Sequence, residues 1–228
     1  MKTGVLLSGC GVYDGAEVQE SVLALLALSQ NNMEYLCIAP NINQHHVVNH
    51  INGKEISQSR NVMHEAARIS RGQITSIKEL NKDSLSSIVI PGGFGSAKNL
   101  SSWAFDGPDS EVIPEVKDLI LHCIEFKKPI VALCISPTLI AKSLEGTDKN
   151  PKLTLGSVNS KSEYNIAEIH KAIERIGAKS LDKLINEICV DEDLKIISAP
   201  CYMMEGSIDE IYLNIKNAID KLLFFLNK

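Results

Sequence analysis

Short, mostly apolar strand-like runs alternate with amphipathic helical stretches along this 228-residue chain, and that alternation narrows the folds open to it more than any other feature. Residues 3–8 read as a buried strand closed by Gly9-Cys10-Gly11. Residues 16–29 then place Val18, Val22, Leu25 and Leu26 at helical spacing, and 34–39 resume a strand. The polar stretch 41–57, with Val47, Val48 and Ile51 around Asn52-Gly53, predicts a small inserted hairpin. A helix over about 61–70 follows, with Ser59 available as its cap. A strand over 86–90 runs into Pro91-Gly92-Gly93-Phe94-Gly95, then a short helical piece near 97–103 and a longer helix over 111–126. After a strand over 129–133 and a helix over 136–142, a strand is expected near 153–155 and a helix over 164–176. Two strands, 187–190 and 195–199, flank the turn Asp191-Glu192-Asp193. The last helix, 207–226, carries Ile211, Ile215, Ile219, Leu222 and Leu223 as a core stripe. The expectation is an α/β fold of one domain spanning 1–228, with a mainly parallel sheet covered on both faces. Ligands in such folds sit at the carboxyl ends of the strands.

Charge and cysteine usage limit the partners. With 23 basic against 28 acidic residues the net charge is -5, so no basic field is present to collect nucleic acid or an anionic membrane surface. Small-molecule or protein partners are expected instead. The six cysteines, at 10, 37, 123, 134, 189 and 201, form no CxxC pair and no zinc spacing, which suggests reduced thiols in a cytoplasmic protein. The strongest apolar run, 22–28, is far short of the roughly 20 residues of a membrane span. Leu7-Ser8-Gly9-Cys10 has the look of a lipoprotein cleavage box, but the apolar run before it is too short for an export signal.

Several other signals are set aside. Gly9-Cys10-Gly11-Val12-Tyr13-Asp14 begins like a dinucleotide fingerprint and fails at Asp14, where a third glycine is required. His45, His46 and His50 lie in a polar hairpin-like stretch and read as surface histidines rather than a metal cluster. Arg60, Arg68 and Arg71 lie on or beside one amphipathic helix and read as a solvated face.

Cys134 is the residue with chemistry in view. It falls where the strand 129–133 ends and the helix beginning Ser136-Pro137 starts, the position of a nucleophile elbow. A helix N-terminus favours a thiolate there, so a lowered thiol pKa is expected. Two further strand ends carry unusual residues. Glu17 opens the first helix, spaced from Asp14 as a capping box, or else turned inward as a protonated acid that exchanges a proton with Cys134. Gly92 and Gly93 permit a tight turn and leave backbone N–H groups free to reach a developing oxyanion. Asn99 is either a helix cap or a substrate contact.

Together, Ser8-Gly9-Cys10-Gly11-Val12-Tyr13-Asp14-Gly15, Pro91-Gly92-Gly93-Phe94-Gly95 with Ala97-Lys98-Asn99-Leu100-Ser101, and Val190-Asp191-Glu192-Asp193 resemble the ElbB-type glyoxalases linked to isoprenoid biosynthesis, in the PfpI-like branch of the class I glutamine-amidotransferase-like superfamily. The resemblance extends over nearly the whole chain. It implies a flavodoxin-like three-layer sandwich, a homodimer, and a glutathione-independent conversion of a small 2-oxoaldehyde such as glyoxal or methylglyoxal to its hydroxy acid, with no metal or redox cofactor. It also implies Cys134 as nucleophile, Glu17 as general acid and base, and Gly92, Gly93, Ile135 and Asn99 as oxyanion and substrate contacts. One departure stands out: peptidase and amidase relatives place a histidine directly after the cysteine, and here that position is Ile135. An oxidisable cysteine serving as a sensor or chaperone without turnover is the alternative.

Overall fold

The computed structural model describes residues 2–228. Strand β1 (Lys2–Leu6), helix α1 (Val18–Gln30) and strand β2 (Tyr35–Ala39) form the first strand–helix–strand unit, its strands parallel. A hairpin of β3 (Val48–Asn49) and β4 (Lys54–Glu55) is inserted before α2 (Val62–Ile69) and the short strand β5 (Ile74–Ser76). Strand β6 (Leu85–Ile90) leads into α3 (Phe94–Lys98), α4 (Trp103–Asp106) and α5 (Pro114–Glu125). Strand β7 (Ile130–Leu133) and α6 (Pro137–Leu144) follow. The chain ends with β8 (Lys152–Leu153), α7 (Ile166–Arg175), β9 (Lys179–Ser180), β10 (Cys189–Asp191), β11 (Ile196–Ala199) and α8 (Ile208–Leu226).

Seven strands make one sheet in the order β10-β11-β7-β6-β1-β2-β5, parallel throughout except for β10, which runs antiparallel to β11. Alternate residues of each central strand enter different layers. Leu6, Ile88, Ile90, Ile130 and Ala132 pack under α5 and α6, whereas Val5, Leu7, Val89, Val131 and Leu133 pack under α1 and α8. Both faces are therefore apolar, the pattern a parallel sheet needs when helices cover it on two sides. This is the expected flavodoxin-like three-layer sandwich with a small hairpin. From β1 the chain winds outward to β2 and β5, then returns to β6 and winds the other way, so the order reverses between β1 and β6. At such a reversal the loops leaving two neighbouring strands diverge and open a crevice. No helix among the described residues is long and apolar enough to cross a membrane.

Several elements depart from the sequence expectation for local reasons. The helix predicted near 97–103 begins at Phe94, because Gly93 adopts a left-handed φ of 91° that turns the chain straight into it, and it breaks before α4. Asn61 rather than Ser59 caps α2, its side chain accepting from the N–H groups of Met63 and His64 at 2.9 and 3.1 Å. The predicted strand near 153–155 does not join the main sheet; it pairs only with β9. Strand β5 has just three residues in a polar setting and carries no signal in the sequence. The apolar stripe expected on α1 proves to be its exposed side: Val18, Val22 and Leu26 face solvent, and Glu20, Ser21, Ala24, Ala27 and Leu28 are buried.

The stripe on α8 packs as expected, with Ile211, Ile215, Ile219 and Leu222 fully buried against the sheet. Ile215→Ala is expected to lower stability by about 2–5 kcal/mol in denaturant titration, through lost transfer energy plus a cavity. The neighbouring Leu213, 54% exposed, is expected to tolerate alanine within about 0.5 kcal/mol.

Candidate functional site

Three loops converge at the reversal point. The segment after β1 and the turn after β6 are joined by backbone hydrogen bonds: Glu17 N–H to Gly92 O at 2.9 Å, Phe94 N–H to Val12 O at 2.7 Å, and Gly95 N–H to Gly15 O at 2.8 Å. The approach leaves no room for side chains. A Cβ on Gly95 would lie 2.6 Å from the Ser8 carbonyl oxygen. The third loop, after β7, is tied in by Ser136, whose hydroxyl donates to Pro91 O at 2.7 Å.

Cys134 occupies the elbow between β7 and α6, with a left-handed φ of 57°, unusual for a residue bearing a side chain. Its N–H is held by Ala199 O at 2.9 Å, so the main chain is anchored and the side chain projects into the crevice. The sulfur lies 6% exposed at residue level, facing the N–H groups of Gly93 and Ile135 and the carboxyl of Glu20.

Glu20 is the carboxylate at the thiol, one helical turn beyond Glu17. It is fully buried, its Oε2 accepts from Gly92 N–H at 2.8 Å and its Oε1 from Tyr202 N–H at 3.2 Å, and it crowds the same space beside Gly92 as the Cys134 sulfur. Burial raises its pKa to about 8, with the nearby Glu17 adding to the shift and the two amides opposing it. At neutral pH this carboxyl is largely protonated. Glu17, by contrast, is the N-cap of α1: its Oε2 accepts from Glu20 N–H at 2.6 Å. It lies on the pocket wall with its pKa raised by desolvation, but its carboxylate is committed to the helix end and Glu20 stands at the thiol. The expected inward-turned acid is thus Glu20, and the capping device is Glu17 itself. Asp14 accepts from Val48 N–H at 2.8 Å instead of capping the helix, and so braces the inserted hairpin.

The Cys134 thiol also differs from expectation. Its pKa is raised well above the usual thiol value, chiefly by burial and then by the Glu20 charge, against the lowering effect of the Gly93 and Ile135 amides. No standing thiolate follows. The burial and the Glu20 charge thus outweigh the helix terminus in setting the state of this thiol.

The remaining expected contacts sort by where their polar atoms go. Gly92 N–H is occupied by Glu20, so the two amides facing the sulfur are those of Gly93 and Ile135. Gly92 serves by having no side chain, since a Cβ there would lie 2.7 Å from Glu20 Oε2 and 2.8 Å from the Cys134 sulfur. Asn99 does not face the pocket: its Nδ2 donates to Ser8 O at 2.9 Å and Asp14 O at 2.8 Å, and its Oδ1 accepts from His45 N–H at 2.9 Å. It locks the loop after β1 in place. Arg60 and Arg68 flank the nearly buried Glu65, at 3.5 and 2.9 Å. His50 stacks beside Tyr13, and His45 and His46 pack on Phe105. Among the described residues no cluster of three histidine, cysteine or carboxylate side chains is placed to hold a metal.

Above the sulfur opens a cavity of about 250 Å³, walled by Val12, Phe94, Trp103, Ile135, Tyr164, Ile169 and Tyr202 among others. No histidine lines it. Sequence reasoning missed Glu20, Tyr164 and Tyr202. For Glu20 a signal existed: Glu17 and Glu20 are three residues apart, on one face of a helix, and only one of them can cap.

No family model matches the chain. It is 36% identical over 229 residues to the rat "ES1 protein homolog, mitochondrial", covering all of this chain and 85% of the rat protein. The human "Glutamine amidotransferase-like class 1 domain-containing protein 3, mitochondrial" is 37% identical, with 100% and 84% covered. Among solved structures, an isoprenoid biosynthesis protein with an amidotransferase-like domain from Ehrlichia chaffeensis superposes with a TM-score of 0.89 at 33% identity over 99% of both chains. Drosophila DJ-1beta shares the fold alone, at a TM-score of 0.54 and 18% identity. The cytoplasmic expectation is overturned: the rat, human and zebrafish relatives are all named as mitochondrial proteins. The absence of a CxxC pair or zinc spacing among the cysteines does not single out the cytosol. The mainly parallel sandwich, the cysteine elbow and the full-length relatives together place this chain in the ES1 and class 1 glutamine amidotransferase-like domain-containing family, on the DJ-1/PfpI fold.

Proposed function

We propose that the protein is a glutathione-independent glyoxalase acting on 2-oxoaldehydes, with Cys134 as nucleophile and Glu20 as the proton carrier. The observation that carries this reading is the fully buried Glu20 carboxyl, its pKa raised to about 8, set beside a thiol on a left-handed elbow. A group poised near neutral pH both gives and takes protons efficiently.

In this mechanism the ionised form of Glu20, a minor fraction at neutral pH, takes the Cys134 proton as the sulfur attacks the aldehyde carbon and passes it to the carbonyl oxygen, giving a hemithioacetal and restoring the carboxylate. The Gly93 and Ile135 N–H groups, which face the sulfur, stabilise negative charge developing at the reacting centre. The Glu20 carboxylate then removes the proton from the carbon bonded to sulfur. It returns that proton to the adjacent carbonyl carbon while the hydroxyl proton of the hemithioacetal passes to that carbon's oxygen, so the first carbon is oxidised as its neighbour is reduced, and a thioester of the 2-hydroxy acid results. Water cleaves the thioester and restores the thiol. The two-carbon exchange balances internally and needs no external electron acceptor.

Amide hydrolysis is disfavoured, because Ile135 follows the cysteine and His122 and His170 both lie outside the cavity. The sensor alternative requires a readily formed thiolate, and burial of Cys134 beside Glu20 works against one. The homodimer implied by the family resemblance remains a proposal. It draws support from the exposed stripe Val18, Val22 and Leu26 on α1, an apolar face that a second copy would cover. Val22→Glu is expected to give a monomer in sedimentation where the parent protein sediments as a dimer.

Lactate formation from methylglyoxal is expected to vanish in Cys134→Ser and to fall by at least about a hundredfold in Glu20→Gln. Glu17→Gln is expected to retain most of the activity; an equal loss in both glutamate variants would overturn the assignment of roles. Proton linkage supplies an independent check. Glu20 binds its proton more tightly in the folded state, so its contribution to stability is complete below the unfolded carboxylate pKa and is lost as pH rises through about 8. Thermal midpoints between pH 5 and 9 are therefore expected to decline less steeply in Glu20→Gln than in the parent. Gly92→Ala, which crowds both groups, is expected to lower the midpoint and abolish alkylation of Cys134 by iodoacetamide.

A further inference from the structure

The chemistry of the Cys134–Glu20 pair leaves the substrate's substituent open, and the walls around the sulfur bear on it. Trp103, 8% exposed, and the side chains of Phe94 and Ile169 form an aromatic and branched aliphatic wall beside the thiol. The cavity of about 250 Å³ far exceeds what glyoxal or methylglyoxal fills, and a single methyl group would leave that wall in contact with water. Unfilled apolar surface contributes nothing to holding the aldehyde in an attack geometry.

Electrostatics point the same way. The cavity opens past Tyr164 and Tyr202 into an outer chamber that also exposes Tyr13, Glu163 and Glu205. Neither chamber is lined by lysine, arginine or histidine. The lysines beside the outer chamber are already engaged, Lys98 over the Phe94 ring with its ammonium donating to Tyr13 O at 3.0 Å and Lys161 paired with Glu205 at 3.9 Å, so a phosphate or carboxylate on the substrate would enter a passage bordered by acidic side chains and compete for cations that line neither chamber.

We infer that the site is built for an uncharged 2-oxoaldehyde bearing a bulky apolar group, aryl or branched alkyl, seated against Phe94, Trp103 and Ile169, and that it rejects oxoaldehydes carrying an anionic group. This rests on the glyoxalase reading only for the aldehyde itself; the substituent is assigned by the walls. The step that reveals it is hemithioacetal formation alone, in which the sulfur–carbon bond forms, the thiol proton moves to the carbonyl oxygen and nothing is oxidised.

The test is protection of Cys134 from iodoacetamide by methylglyoxal, phenylglyoxal and 4-carboxyphenylglyoxal, each normalised to its hemithioacetal equilibrium with N-acetylcysteine and read by mass spectrometry of the Cys134 peptide. Phenylglyoxal is expected to protect at a normalised concentration about tenfold or more below that of methylglyoxal, and the carboxylated analogue is expected to lose that advantage. Ile169→Asp, on the half-buried part of the wall, is expected to erase the preference while circular dichroism shows the fold retained; Phe94→Ala supplies a second variant if it does not. A normalised ratio near one, or equal protection by the carboxylated analogue, overturns the inference. Preferential protection without any hydroxy acid product would sustain it and sink the glyoxalase reading. Faster turnover of methylglyoxal than of phenylglyoxal would do the reverse.

Discussion

A carboxyl group held out of water beside a thiol is the interaction on which the site depends. Glu20 is fully buried, and removing a carboxylate from solvent is costly unless amides meet its oxygens or a proton neutralises it. Both compensations are present. Gly92 and Tyr202 supply N–H groups, and the raised pKa keeps a proton on the group at neutral pH. Those two amides come from different loops, the turn after β6 and the turn after β11, so the carboxyl ties both of them to α1. The same burial that makes the proton available raises the Cys134 thiol, and a charge on Glu20 raises it further.

The packing of the loops follows from this. Gly92 cannot carry a side chain because Cys134 and Glu20 already occupy the space, and Gly95 cannot because the backbone after β1 lies against it. Asn99 gives every one of its polar atoms to the neighbouring backbone, which holds the loop carrying Glu17. Glu17 in turn caps α1 and so orients the helix turn bearing Glu20. A residue read as catalytic from its position in the chain thus serves as the fixture for the residue one turn on.

How much of this was legible in the sequence varies with the kind of signal. The strands β1, β6 and β7 are mostly apolar runs that lead into turns carrying glycine or cysteine, and such runs are interpretable without coordinates. The elbow at Cys134 was visible for the same reason. Strand β5 was not, since three residues in polar surroundings become a strand only by pairing with β2. The α1 stripe misled in a different way: Val18, Val22 and Leu26 share one face, yet small residues and Glu20 fill the side against the sheet and α8, where little space remains. Periodicity identifies a helix face; it does not say whether that face meets the core or another surface.

From the residues alone came the alternation of strands and helices, the parallel sheet with its ligand edge, and the cysteine at a strand-to-helix junction, because each is carried by local pattern. Tertiary structure decided which glutamate reaches the sulfur, which amides remain free to face it, and what walls surround it. Those outcomes depend on distances between loops separated by scores of residues, and burial, the source of both pKa shifts, exists only once the loops have closed over the pair.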